Sequence, residues 1–227
     1  MRLLLFLLLI LSTACKKQVN EEYTFIKVDE YAGLQKGRFI LYDAVEVTHT
    51  PASSSTVNSD TSRYELKVVI EDTISDDLGR ISWKYVRYVR DNALQNWVLS
   101  DVWMTLVDGN NAELVEENQR IIKMKSPIKS STIWNSNVFN NFVESTYSYD
   151  RINLSFDVNT LSFDSTVTVK QSEERNLVSF EKKLEVYAKG IGMVYKYYKD
   201  LSIANFDTLN IKEGKELYLY PKLVGFQ

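Results

Sequence analysis

Alternation of apolar and polar side chains is the dominant pattern of this chain. It runs through residues 64–71, 81–85, 102–106, 166–170 and 181–188. Because successive side chains of a strand point to opposite faces, a period of two predicts strands with one apolar face each. The pattern therefore indicates an antiparallel β protein.

The same alternation assigns faces. In 181–188 we expect Leu184, Val186 and Ala188 to face the core and Glu185 to face solvent. The even-numbered residues of 102–106 form another apolar face. The assignment for 181–188 assumes that the apolar face of the strand is the inner one.

Signals for helices are weak. Residues 137–144 place apolar side chains at helical spacing over only two turns, so a short helix and an ordered loop are both compatible with them. Thr50–Ser62 contains eight Ser or Thr residues among thirteen, which predicts a mobile loop. The predicted fold class is all-β, with few short helices. Its antiparallel strands form a curved sheet, a sandwich or a half-open barrel.

The N-terminus has the features of a signal peptide. Leu3 to Leu11 is an unbroken apolar run of nine residues after the positive charge of Arg2. As a helix the run would span about 13 Å, whereas the hydrocarbon core of a bilayer is about 30 Å thick. It is therefore predicted to be the apolar region of a signal peptide. Three small residues, 12–14, then precede Cys15, the single cysteine of the chain.

The segment Leu-Ser-Thr-Ala-Cys resembles the lipobox of bacterial lipoproteins. The resemblance implies cleavage between Ala14 and Cys15 and acylation of the Cys15 thiol, which would anchor the chain to membrane lipid. Ser12 departs from the Leu, Val or Ile that the family prefers there. Lys16 stands where an aspartate would resemble an inner-membrane retention signal, which implies the outer membrane. We expect the periplasmic side, with surface exposure as the alternative; an ordinary secretory signal with an incidental cysteine is the other interpretation.

Three segments describe the expected organisation. Residues 1–14 are the lipoprotein signal peptide, residues 15–27 the lipidated N-terminus and tether, and residues 28–227 a single β-rich domain. The chain has 27 basic and 30 acidic residues and a net charge of −3. This balance lacks the basic surface that nucleic-acid binding requires, so no nucleic-acid partner is expected.

Candidates for catalysis are few. His49 is the single histidine, and its polar neighbourhood predicts a solvated surface side chain. The adjacent carboxylates Glu116-Glu117 and Glu173-Glu174 should point to opposite faces of their strands, so neither pair would converge as a glycosidase requires. We therefore expect no catalytic residues, no metal site and no cofactor.

The segment from Tyr187 to Val194 is the most distinctive in the chain. It carries Gly190 and Gly192 between two predicted strands, where glycine indicates a structural bulge or a tight bend. A phosphate loop would need a following helix. The pattern Tyr-Ala-x-Gly-x-Gly-x-Val resembles segments of uncharacterised β-sheet lipoproteins of the bacterial envelope, a likeness that implies no activity.

Aromatic residues make up 12% of the chain. Core packing and cross-strand pairing should use most of the rings, but some could line a ligand cavity. The candidates for such a lining are Trp83, Trp103, Trp134 and Tyr195.

The leading hypothesis is a lipid-anchored envelope protein that binds an amphiphile or another apolar ligand without transforming it. A structural or assembly lipoprotein that binds an envelope protein is the alternative, and a carboxylate-dependent hydrolase is a third. An internal cavity would favour the carrier, a flat aromatic patch the assembly protein, and two converging buried carboxylates the hydrolase.

Overall fold

The computed structural model describes residues 25–53, 56–75 and 79–227. These residues form one short helix and twelve strands: α1 (Asp29–Ala32), β1 (Arg38–Pro51), β2 (Val57–Ser75), β3 (Ile81–Arg90), β4 (Val98–Asp108), β5 (Asn111–Glu116), β6 (Gln119–Lys125), β7 (Ile133–Asn135), β8 (Thr146–Val158), β9 (Leu161–Arg175), β10 (Ser179–Ala188), β11 (Gly192–Ala204) and β12 (Asp207–Phe226). In the described part of the chain, no helix has the length and apolar character needed to cross a membrane.

All the strands belong to one antiparallel sheet in the order β6-β5-β4-β3-β2-β1-β12-β11-β10-β9-β8-β7. Two meanders of six strands are thus joined by the pairing of β1 with β12. The edge strands β6 and β7 then meet, because the Ile122 amide donates to the Ser136 carbonyl at 2.9 Å and Trp134 Nε1 donates to the Ile122 carbonyl at 3.0 Å. The sheet is therefore nearly closed and barrel-like. The prediction of an all-β antiparallel fold is confirmed.

The segment around α1 packs against one end of the enclosed space. Val28 and Tyr31 are each 1% exposed and belong to a core cluster with side chains of β6 and β9. Gly33 follows the helix with a φ of 66°, and a Cβ atom there would lie 2.1 Å from the Ile191 carbonyl oxygen. This contact requires glycine and brings the helix close to the turn between β10 and β11.

The outer face of β10 is apolar, which corrects the faces predicted for 181–188. Val186 and Ala188 are buried on that face with Phe163 and Val194, whereas Glu185 faces the interior. The hairpin of β8 and β9 folds over these side chains. Positive φ values in β8 accompany shifts in the pairing of β8 with β9. At the turn of the hairpin, the Asn159 side chain donates a hydrogen bond to a backbone carbonyl of β12. The outer face here is buried by another part of the same sheet.

The apolar face of 102–106 is not the face that lines the cavity. Trp103 and Thr105 line the interior, whereas Val102 is 53% exposed. Thr50–Ser62, predicted as a mobile loop, is mostly paired strand, since Thr50 pairs with Asn58 in the β1–β2 hairpin. A polar strand can extend in this way because the ladder hydrogen bonds do not depend on side-chain character. Residues 137–144 form turns rather than a helix.

Candidate functional site

The inner face of the sheet encloses a cavity of about 470 Å³. Most of its wall is apolar, and strands of both meanders contribute to it: Leu66, Val68, Leu114, Met193, Leu217 and Leu219. The volume lies within the roughly 300–1,000 Å³ typical of small-molecule sites. An apolar chain placed here would leave water, at about 25 cal/mol for each Å² of surface buried.

Aromatic side chains form one side of this cavity. Tyr85 and Trp103 stack with their ring centroids 6.1 Å apart and nearly parallel, and the Arg87 guanidinium lies 4.1 Å from the Trp103 centroid. Asp101 holds that guanidinium through a contact of 2.9 Å. Burial raises the pKa of Tyr85 to about 12, so its hydroxyl stays protonated at neutral pH.

Four charged or polar side chains, which we call the interior lysine cluster, project from the wall: Lys123, Glu185, Tyr187 and Lys196. Lys123 Nζ lies 2.8 Å from Glu185 Oε1, and the Tyr187 hydroxyl donates to Glu185 Oε2 at 2.7 Å. Lys196 Nζ approaches Oε1 at 3.4 Å. Glu185 is 1% exposed, so a fully buried carboxylate faces two ammonium groups.

The charges of this cluster stabilise one another. Burial alone would raise the pKa of Glu185, but the charges of Lys123 and Lys196 and the hydrogen bonds from Lys123 and Tyr187 outweigh it and hold this pKa at about 2. Burial lowers the pKa of Lys123, and the Glu185 charge more than reverses that effect and raises it above its ordinary value. Both groups are therefore ionised at neutral pH.

The cavity leads into a polar vestibule of about 650 Å³. Five residues line both spaces and so mark the junction between them: Glu116, Ile121, Lys123, Phe142 and Lys196. Beyond the junction the vestibule is lined by charged side chains of β9 and β10, among them Glu173, Glu174 and Lys183. The arrangement is an apolar space with a charged entrance.

Each of the four buried glutamates in the described residues has a cationic partner. Glu113 is 1% exposed, lines the cavity and is paired with Arg120. Glu65, Glu185 and Glu216 each lie beside at least one lysine or arginine. The pKa of all three is lowered because these partners outweigh the effect of burial. A general acid of a glycosidase needs the opposite shift.

The four aromatic residues predicted to line a cavity occupy different environments. Trp103 lines it. Trp134 does not, because it is buried in the core where the sheet edges meet. Tyr195 packs between Phe156 and Tyr220 on the outer face. Trp83 is half-buried on β3, outside the cavity lining.

Gly190 and Gly192 flank the tip of the β10–β11 hairpin. Their φ values of 70° and 109° favour glycine, and the Gly190 amide donates to the Glu30 carbonyl at 2.7 Å. The pairing shift of this hairpin falls between Val186 and Tyr187. The two glycines therefore form a tight turn against α1, and the bulge itself lies further along the strands.

The structure contradicts the expectation that His49 is solvated. The side chain is 7% exposed, its Nδ1 lies 2.8 Å from Ser59 Oγ and its Nε2 lies 3.1 Å from Glu216 Oε1. Glu216 also accepts a hydrogen bond from the Tyr218 hydroxyl and forms an ion pair with Lys199. We call these five residues the outer-face histidine network, since its two members on β12 alternate with cavity-lining residues of that strand.

This network has the composition of a hydrolytic triad, with serine, histidine and carboxylate in hydrogen-bond contact. Two further donors, Lys199 and Tyr218, hold the carboxylate in place. None of the five residues lines the interior cavity. The geometry is that of a cross-strand tie between β1, β2 and β12.

The sequence could not reveal the interior lysine cluster. Glu185 and Lys196 alternate with apolar residues, which is also the pattern of a solvent-facing strand surface. The available signal was Tyr187, an aromatic residue on the same face of β10 as Glu185. The proposed cleavage and acylation site at Ala14 and Cys15 lies outside the described residues.

Comparison with known proteins does not identify a family for this chain. No family model matches the chain, and no curated protein matches it. One solved structure is similar, a protein of Bacteroides fragilis described as exported and as having a YmcC-like fold. The two share 9% identity over 85% of this chain and 99% of the other, with a TM-score of 0.43. Similarity at this level supports no inference about function.

Proposed function

We propose that this protein is a non-catalytic binding protein of the bacterial cell envelope that holds a single-chain amphiphile in its interior cavity. The supporting observation is the cavity itself, with its apolar wall and the interior lysine cluster at its entrance. A buried ion pair contributes little net stability compared with apolar packing, which favours a role in binding. The volume suits one acyl chain better than the two chains of a phospholipid.

The anchor is part of the proposal. Acylation at Cys15 would hold the domain at the outer membrane, facing the periplasm, within reach of membrane lipid. Replacing Cys15 with Ser and fractionating the cells tests this assignment. We expect the variant to lose its acyl label and leave the membrane fraction. A variant that stays as membrane-bound as the parent contradicts it.

Cavity filling tests the binding function. Leu114→Trp places a larger side chain in the wall, and the exposed Leu99→Trp on β4 is its matched control. We expect native mass spectrometry of the parent and of Leu99→Trp to show a co-purified amphiphile that Leu114→Trp lacks. Binding that survives in a folded Leu114→Trp variant places the ligand elsewhere.

The assembly hypothesis has one observation in its favour. Val98, Leu99 and Val102 on β4 are all more than half exposed and lie on one stretch of strand. Such a stretch could contact an envelope protein. Loss of a specific cross-linked partner on Leu99→Ser, with amphiphile binding intact, would support that function instead.

A further inference from the structure

Lys196 lies at the entrance to the cavity, and its ion pair with Glu185 uses only part of its hydrogen-bonding capacity. Within the described residues, the polar partner of Lys196 is Glu185 Oε1 at 3.4 Å, an oxygen that Lys123 already contacts at 2.8 Å. The other oxygen of that carboxylate accepts the Tyr187 hydroxyl. An ammonium group has three protons to donate, so Lys196 retains donor capacity at the junction of the cavity and the vestibule.

The buried polar atoms without partners are also donors. In the described residues, the buried side-chain nitrogens or oxygens that lack a hydrogen-bond partner are Arg38 Nε, Trp103 Nε1 and Gln171 Nε2. Trp103 lines the cavity and Gln171 lines the vestibule. These nitrogens have almost no accessible surface, so a ligand in either space would not reach them and a head-group assignment rests on Lys196.

One carboxylate limits this argument. Glu116 lines the same junction and forms no hydrogen bond or ion pair with a described residue. Its charge opposes an anion there and would favour a cation. Lys123 and Lys196 carry two positive charges against the two negative charges of Glu185 and Glu116, so the anion assignment depends on the donor capacity of Lys196 and not on a net positive charge.

We propose that Lys196 binds the anionic head group of a single-chain amphiphile whose tail occupies the apolar cavity. This inference rests on the proposed function and adds the class of head group. An anion at Lys196 would receive a charge-assisted hydrogen bond at the border between the apolar space and water. A fatty acid carboxylate and an alkyl phosphate share this chemistry.

The test measures binding by isothermal titration calorimetry below the micelle concentration of each probe. The protein is the full chain carrying Cys15→Ser, so that no acyl chain of its own competes. The probes share one tail and differ in the head group: dodecanoate, dodecyl phosphate, dodecanol and dodecyltrimethylammonium. Preference between the first two distinguishes a carboxylate from a phosphate ligand.

We expect dodecanoate or dodecyl phosphate to bind about tenfold more tightly than dodecanol. Lys196→Met should remove this difference without changing dodecanol affinity, while Glu116→Gln should increase anion affinity. Lys36→Met is the matched control, since Lys36 forms one exposed ion pair with Asp72. It should change nothing.

The outcomes separate the two proposals. Equal affinity for all four probes, unaffected by Lys196→Met, overturns the head-group assignment and leaves the cavity function standing. Preference for the cationic probe, lost in Glu116→Gln, reverses the assignment. If no probe binds a parent that circular dichroism shows to be folded, both proposals are wrong.

Discussion

Two strands on either side of β11 each bury a glutamate with a tyrosine two residues later, and the two sites have different surroundings. On β10 the pair is Glu185 and Tyr187, and on β12 it is Glu216 and Tyr218; in each the hydroxyl donates to the carboxylate. Glu216 is enclosed by His49 and Lys199 on the outer face. Glu185 faces the cavity.

The difference lies in what remains unpaired. In the outer-face histidine network both ring nitrogens of His49 have partners, and Glu216 has three. In the interior lysine cluster, Lys196 retains donor capacity beside an open space. The same local motif therefore forms a structural tie on one face and a candidate binding group on the other, because the face decides what can approach.

The largest expected effect comes from removing the central cation of the interior. Lys123→Met leaves the buried Glu185 with one ammonium group, that of Lys196 at 3.4 Å, and should lower the free energy of unfolding by about 3 kcal/mol. Urea denaturation measures it. The double variant Lys123→Met/Glu185→Leu should recover much of the loss, and no recovery would mean that Lys123 acts through packing.

Acid should lower the free energy of unfolding in part through Glu185 and Glu216. Both have a folded-state pKa below the ordinary value of 4.5, so the unfolded chain binds more protons at low pH. Their contribution is complete above about pH 4.5 and falls as the pH drops through the folded values. Urea titrations from pH 6 to pH 3 should show a shallower loss for Glu185→Gln and for Glu216→Gln than for the parent. A parent slope in either variant contradicts that assignment.

A smaller effect is expected on the outer face. His49→Leu removes two hydrogen bonds but leaves Glu216 with Lys199 and Tyr218, so the cost should be about 1–2 kcal/mol. Dodecanoate affinity should stay at the parental value. Labelling of Ser59 by a fluorophosphonate, abolished in His49→Leu, would show instead that the network is a hydrolytic site.

The smallest effect on stability is expected at a solvent-exposed ion pair. Lys36 and Asp72 are 3.2 Å apart with side chains 68% and 64% exposed. Exposed ion pairs contribute little because water and salt screen them. Lys36→Met should leave the urea midpoint and amphiphile affinity unchanged, and a clear shift in either would show that the pair does more than its exposure suggests.

Local pattern was sufficient for the strands and insufficient for their faces. The period-two runs predicted the antiparallel all-β fold that the structure has. The alternation placed Glu185 outside, since it took the apolar side of β10 to be the inner one. That inference fails where the β8–β9 hairpin folds over the sheet and buries Val186 and Ala188 from outside.

His49 shows the same limit. Its sequence neighbours are polar, yet Ser59 and Glu216 reach it from two other strands, the second 167 residues away. No local window of sequence contains both partners, since only Ser59, ten residues away, is near His49 in the chain.

By itself the sequence determined the strand content, the antiparallel fold class and the lipobox-like segment that predicts export. All three depend on residues close together in the chain. Only the tertiary structure decided which face of each strand is interior and where Lys123, Glu185 and Lys196 meet. It also decided that the side chains of the inner face leave a cavity between them. The reason is physical: a strand's alternation defines two faces, and the curvature and closure of the whole sheet decide which of them meets water.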